Sequence, residues 1–205
     1  AYLPDARAPL GEDHAWHAVI EVVADRTQSQ ALRGQCEALL ETAFENGLVE
    51  DATMAASEAQ AEAMGLIRES IAPAERAQGP AVQHDISVAV EKMPEFVDAI
   101  VPVIEADWPG TRAIAFGHLG DGNVHFHVLA PSGVDETAWQ EGDAKAISSQ
   151  VFDMVVAWGG SISAEHGIGQ HKRDDLRRFG DPVALAMMAR VKQALDPHGL
   201  LNPGK

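Results

Sequence analysis

Residues 112 to 129 constrain the fold more than any other stretch. Two runs, Arg112 to His118 and Asn123 to Leu129, are separated only by Leu119-Gly120-Asp121-Gly122. The second run alternates Val124, Phe126 and Val128 with His125 and His127, the period of two that gives a strand one apolar and one polar face. A short glycine-bearing link between such runs makes a hairpin, so any fold of this chain has to include antiparallel pairing. The polar face of that hairpin would carry His125 and His127 together, with His118 returning beside His125.

Around this hairpin, helical and strand patterns mix. His84 to Val90 alternates Ile86, Val88 and Val90 with Asp85, Ser87 and Ala89 and is expected as a strand, as are Trp16 to Val23 and Val49 to Met54. A helix is expected over Ser29 to Asn46, with apolar residues at 32, 36, 39, 40 and 43 and Gly47 ending it. Ser57 and Gln60 form a capping-box pattern for a helix that carries Met64, Ile67 and Ile71 and stops before Pro73. Further helices are expected from Pro94, with Phe96, Ile100 and Val103 on one face and a kink at Pro102, over Glu136 to Trp158, and over Asp181 to Leu195. The expected class is α+β: an antiparallel sheet with helices on one face, ferredoxin-like, plus a C-terminal helical segment. Residues 1–15, with Pro4, Pro9 and Gly11, read as a tail or linker, and 16–205 as one domain.

Composition narrows the partners. Fifteen Lys and Arg against 31 Asp and Glu give a net charge of −16, which argues against nucleic acid, since phosphate binding needs clustered cations. An apolar content of 46% over 205 residues is enough for a real core. The longest apolar stretches, such as Ala99 to Ile104, fall far short of the roughly 20 residues of a membrane helix. The lone Cys36 lies at helical spacing from Leu32, Leu39 and Leu40, as a packed thiol would, and fits a reducing compartment. A cytoplasmic location is expected, peripheral to a membrane only through a partner.

The chemistry concentrates in two clusters. His118, His125 and His127 suit either hydrogen-bonded strand histidines or a transition-metal site, and three at this spacing around a glycine-rich turn favour the metal. In Gly159 to Gly169, Glu165 can supply a carboxylate ligand and His166 a base, while the glycines let backbone approach a ligand. The alternative there is a solvated loop with a helix cap.

At these residues the chain resembles the C-terminal, substrate-side domain of FAD-linked oxidases of the vanillyl-alcohol oxidase type. Within that superfamily it is similar to the D-lactate, glycolate and D-2-hydroxyglutarate dehydrogenase branch. The resemblance rests on Arg68-Glu69-Ser70-Ile71, His84-Asp85-Ile86-Ser87-Val88, Gly117 to His125, Gly160 to Gly169 with Lys172, and Leu195-Asp196-Pro197 through Asn202-Pro203-Gly204-Lys205. It implies that His118, His125 and Glu165 bind a divalent metal, zinc or manganese, and that His166 removes the hydroxyl proton of a D-2-hydroxy acid as hydride passes to the flavin. It further implies that Arg68 holds the substrate carboxylate, that His127 bears on substrate choice, and that Asn202 lies on the flavin side.

Three positions depart from the pattern of relatives acting on dicarboxylates. Gln83-His84-Asp85 stands where they resemble Lys-x-Asp, Ala72 where they place Thr, and His127 where some have Asn. A second substrate carboxylate would lose its charged partner, which puts D-2-hydroxyglutarate itself in question. The resemblance also implies an N-terminal FAD-binding domain, missing from this chain, and an electron acceptor; without that domain the chain is expected to be catalytically silent. Other readings are a stand-alone metal or ligand-binding module without redox activity, or a metal-dependent hydrolase using a His-His-Glu set.

Overall fold

The computed structural model describes residues 7–23, 25 and 29–204. Pro4 of the expected tail and Lys205 of the C-terminal block lie outside the described residues. The chain divides into two compact units, Ala1–Ala77 and Gln78–Lys205.

The first unit is helical. Helix α1, Ser29–Glu45, half-buries Leu32, Cys36, Leu40 and Ala43, a stripe that leaves Leu39 at its solvent margin rather than inside it. Helix α2, Glu58–Glu69, starts as its capping box requires. The Ser57 hydroxyl accepts from the Gln60 N–H, and the Gln60 side chain reaches back to the N–H of Ala56, one residue before the cap. The chain then breaks at Ser70, not before Pro73. Pro73 falls in the first turn of helix α3, Ile71–Arg76, where a missing N–H costs no helical hydrogen bond. Trp16 to Val23 and Val49 to Met54 form no strand. Their apolar content expresses a propensity, but a strand exists only by pairing, and neither segment has a partner strand among the described residues.

The second unit holds the core and follows a β-α-β-β-α path. Strands β1, Ala81–Ser87, β2, Arg112–His118, and β3, Asn123–Leu129, form an antiparallel sheet in the order β1-β3-β2. Helix α4, Met93–Asp107, connects the first two strands. Beyond β3 the expected single helix is two, α5, Glu136–Glu141, and α6, Asp143–Ala157, because the backbone turns at Gly142 with ψ −98°. After α6 the chain returns along the free edge of β1 as a single bridge, in which Ser87 and Ser161 exchange both backbone hydrogen bonds at 3.0 and 2.8 Å. This is the ferredoxin-like path with its last strand reduced to one pair.

Register decides which face carries what. Opposite Val124, Phe126 and Val128 of β3 stand Ile86, His84 and Val82 of β1 and Gly117, Ala115 and Ala113 of β2. This face meets α4 and α6, and its β3 side chains pack with Phe96, Ile100, Ile104, Ile147, Val151 and Val155. On α4 the buried row is Met93, Phe96, Val97, Ile100 and Ile104; Val103, expected on it, is 38% exposed because Ile104 takes the inward position one turn beyond Ile100. Strand β1 ends at Ser87 rather than Val90, since the Val88 N–H turns to the Gly122 carbonyl. Gly122, at φ +70°, closes the β2–β3 hairpin there; a Cβ on it would sit 2.0 Å from the Val88 carbonyl oxygen.

Helix α7, Arg173–Phe179, is an addition to the sequence expectation. Its signal was charge: Asp174 and Asp175 in the first turn and Arg177 and Arg178 in the last complement the helix dipole. Arg178 clamps it to α6 through both carboxylate oxygens of Asp153, at 2.6 and 2.8 Å. Helix α8, Pro182–Leu195, follows Asp181 as its N-cap.

One histidine of the apolar face is part of the core. His84, 2% exposed, packs edge-on against Phe152 and lies 2.8 Å from the Phe126 carbonyl and 3.0 Å from the Ser148 hydroxyl. The carbonyl can only accept, so Nδ1 carries the proton of a neutral ring. Burial pushes its pKa down to about 4, against the Phe126 hydrogen bond that raises it. The unfolded ring takes up a proton near pH 6.5 and the folded one only near 4, so His84 supports the fold fully above 6.5 and progressively less as pH falls toward 4. The full span corresponds to about 3 kcal/mol. Stability of wild type and His84→Gln, measured by urea unfolding from pH 7 to 4, should converge as pH falls; curves that run parallel would contradict this linkage.

Candidate metal and substrate site on the open face

The second face of the sheet carries the polar residues. Opposite His125 stand Asp85 of β1 and Phe116 of β2; opposite His127 stand Gln83 and Ile114; opposite Asn123 stand Ser87 and His118. The three histidines therefore share one face, as the alternation requires. His118 and His125 are diagonal neighbours rather than a direct pair, with ring centroids 6.3 Å apart. Phe116 walls the cluster, 5.2 Å from the His125 ring and 5.0 Å from that of His127. His118 is exposed, His125 half-buried and His127 buried.

The glycine-rich loop is brought onto this face by one side chain. Asp85 is 4% exposed, and its Oδ2 accepts the N–H groups of Ala164, Glu165 and His166 at 3.2, 2.9 and 2.8 Å. Three consecutive amides aimed at one oxygen form an anion-binding nest, here filled from within the protein. Burial works to raise the Asp85 pKa, but the amides of His166 and Glu165 and the charges of His166 and Lys172 prevail and hold it below the usual carboxylate range. The loop is pinned a second time by Lys172, whose ammonium donates to the Ile162 carbonyl at 2.8 Å and the Asp85 carbonyl at 3.2 Å. Burial lowers the pKa of this lysine, opposed by Asp85 and Asp175.

So held, His166 stacks on His125 at 5.9 Å with its side chain 69% exposed, and ligand atoms of Asp85, Glu165 and His166 all lie within 4.8 Å of one another. Of the expected ligands His118, His125 and Glu165, Glu165 alone belongs to that group; His125 adjoins it through its stack on His166, and His118 adjoins His125, so the imidazole nitrogens and carboxylate oxygens gathered on this face offer donors suited to a divalent transition metal. A fit is also indicated by Asp85 Oδ1, which is buried, has no hydrogen-bond partner among the described residues, and faces His125 Nδ1 at 3.9 Å. Burial pushes the His125 pKa down against the pull of Asp85, which favours the neutral ring that ligation needs.

The other expected residues, Arg68 and Asn202, belong to other segments of the chain. Arg68 is in the last turn of α2, in the first unit, exposed and 3.8 Å from Glu69. Asn202 adopts a left-handed φ of +46° and borders an apolar groove of about 570 Å³ lined by Met187, Met188, Val191, Leu195 and Leu201. Its neighbours Pro203 and Gly204 accept from Gln170 and Arg173, which ties this segment to the end of the glycine-rich loop.

Two residues of the face carried no role in the sequence reading. Asp85 stood in the sequence only as a polar member of an alternating strand and within the blocks His84-Asp85-Ile86-Ser87-Val88 and Gln83-His84-Asp85, with no role of its own; its signal, a carboxylate on the open strand face opposite a histidine, needs the β1–β3 register. Asn123 is 2% exposed, and neither of its side-chain polar atoms has a partner among the described residues.

Residues 3–205 match the family model described as FAD linked oxidases, C-terminal domain. The chain is 36% identical over 201 residues to a D-2-hydroxyglutarate dehydrogenase of Stutzerimonas stutzeri, covering 98% of this chain and 42% of that protein. It is 36% identical to the enzyme of that name from Xanthomonas citri, over 98% of this chain and 41% of the relative. To the mitochondrial D-2-hydroxyglutarate dehydrogenase of Arabidopsis thaliana it is 32% identical, over 100% of this chain and 34% of the relative. It thus spans about two fifths of the first two relatives and a third of the last.

Removing the Lys172 clamp tests the loop. Lys172→Met removes the ammonium from the Ile162 carbonyl and leaves the Asp85 carbonyl with the Ala164 N–H alone, and should destabilise the fold by about 1–3 kcal/mol, read by urea denaturation. An unchanged midpoint would mean that the Asp85 nest holds the loop alone.

Proposed function

Because the chain belongs to the FAD-linked oxidase C-terminal domain family, we propose that it is the substrate- and metal-binding portion of a longer FAD-dependent dehydrogenase that oxidises a D-2-hydroxy acid to the 2-oxo acid. The observation that carries this reading is the convergence of His125, His166, Glu165 and Asp85 on the open sheet face. The partners in this reading are an N-terminal FAD-binding portion and an electron acceptor, and the location is cytoplasmic.

Within it, His118, His125 and Glu165 hold a divalent cation, zinc or manganese, and His166 is the base. When bound, the cation supplies Lewis-acid stabilisation of the ionising hydroxyl and the flavin supplies the hydride acceptor. The chain's own residues do the rest. Arg68 orients the substrate carboxylate by a bidentate pair. His166, accessible and fixed through its backbone N–H to Asp85, receives the hydroxyl proton on its ring. Phe116 shields the imidazoles from water on one side. Asn202 serves the flavin side.

Substrate length is set around β1. Gln83 stands directly opposite His127, and relatives of the dicarboxylate type resemble a lysine at Gln83. A neutral amide there suits a 2-hydroxy acid without a second charged end better than D-2-hydroxyglutarate, the substrate named for the relatives.

Two substitutions in the full-length enzyme separate the roles. Glu165→Ala should lower metal content and activity together. His166→Ala should keep its metal yet lose about 10²- to 10⁴-fold in kcat, the range for a missing general base. A kcat within a few-fold of wild type in metal-replete His166→Ala protein would remove His166 from the mechanism.

A further inference from the structure

We propose that Asp85 is a positioning residue that locks the His125 ring in the Nδ1–H tautomer while the same carboxylate fixes the backbone of Glu165 and His166. This rests on the cation site of the reading above, and it explains how residues from a strand and a distant loop are set in one geometry.

The division of labour follows from the two oxygens. Oδ2 is fully engaged by the three loop amides. Oδ1 is buried and unbonded among the described residues and faces His125 Nδ1 at 3.9 Å, while His166 Nδ1 stands 3.9 Å from Oδ2. An unpaired carboxylate oxygen in such a place is costly, and a small ring rotation that lets Nδ1–H donate to it removes the cost. Backbone geometry brings the two side chains together. The Ser87 backbone bonds outward to Ser161, and the Asp85 carbonyl accepts outward from Ala164 at 3.3 Å. Asp85 and His125 are thus a pair without mutual backbone hydrogen bonds, the type whose side chains stand closest. A proton held on Nδ1 leaves the lone pair on Nε2, the nitrogen then able to bind a cation. A carboxylate behind a ligating imidazole fixes its orientation and raises its basicity.

Asp85→Asn is the discriminating variant because it is isosteric. The amide oxygen can still receive the loop N–H groups, but the NH₂ replacing Oδ1 is a donor and favours the opposite His125 tautomer, with the proton on Nε2. Histidine ¹⁵N shifts of the metal-free 205-residue chain should report Nδ1–H in wild type and Nε2–H in Asp85→Asn. Titration with Zn²⁺ alone should show the variant binding 10- to 100-fold more weakly at unchanged stoichiometry, with its urea midpoint recorded as a check on folding.

An Nε2–H tautomer in wild type, or one unmoved by the substitution, overturns the proposal; so does equal Zn²⁺ affinity, and so does a complete loss of binding, which would make Asp85 a direct ligand. Should wild type bind no Zn²⁺, the cation site fails while the tautomer measurement still decides the role of Asp85. If Asp85→Asn does not fold, the wild-type tautomer alone decides.

Discussion

The second unit depends on the central strand β3 being paired on both edges. Flanked by β1 and β2, its backbone groups are taken up by neighbours and its side chains are divided between two environments. Val124, Phe126 and Val128 meet the helices α4 and α6, while Asn123, His125 and His127 are excluded from that core. Hydrophobic burial on one side thereby sets the positions of the imidazoles on the other. No binding energy is needed to align His118 with His125, because the pairing that builds the core has already done so.

A second constraint is electrostatic. Glu165 and His166 belong to a loop with no regular structure, and irregular backbone near a site needs partners for its N–H groups. Asp85 supplies them from the sheet, and Lys172 supplies the opposite charge from the far end of the loop. Gly159, Gly167 and Gly169 supply the positive φ values at which the loop turns, and Gly160 lets it pass the Ser87 carbonyl, where a Cβ would sit 2.3 Å away. The loop is thus a fixed extension of β1, and its ends are further held by the Ser87–Ser161 bridge and by the C-terminal residues bound through Gln170 and Arg173.

Local periodicity was readable where the partner lies close in the sequence. The hairpin strands Arg112–His118 and Asn123–Leu129 agree residue for residue with the pattern, because the turn between them leaves a single register. The clusters around His125 and His166 were readable as candidates because imidazole and carboxylate concentrated in short segments have few structural uses, and the fold brings the two segments together. What could not be read depends on distance along the chain. The apolar run at Trp16 to Val23 looks like a strand by composition, yet pairing is a property of two segments and the second was not in evidence. Gly142 splitting one helix into two, and Pro73 sitting inside a helix rather than after one, both turn on first-turn geometry that composition does not specify. Asp85 was hidden for a related reason: its importance lies 80 residues away, at the amide of Glu165.

The closure of the β2–β3 link by Gly122 against Val88 has an evolutionary corollary. Strand side chains alternate strictly, so a residue added to or removed from that link and not absorbed within the turn would slip the register and rotate every following position of β3 to the opposite face. His125 and His127 would then turn toward the helices, and Phe126 with its neighbours toward solvent. The facing sets of side chains on β3 therefore depend on the length of the link between His118 and Asn123 as much as on the residues themselves. Replacing Gln83 or His127 changes one side chain of the open face and leaves the pairing alone, whereas a slip in this link exchanges the two faces together.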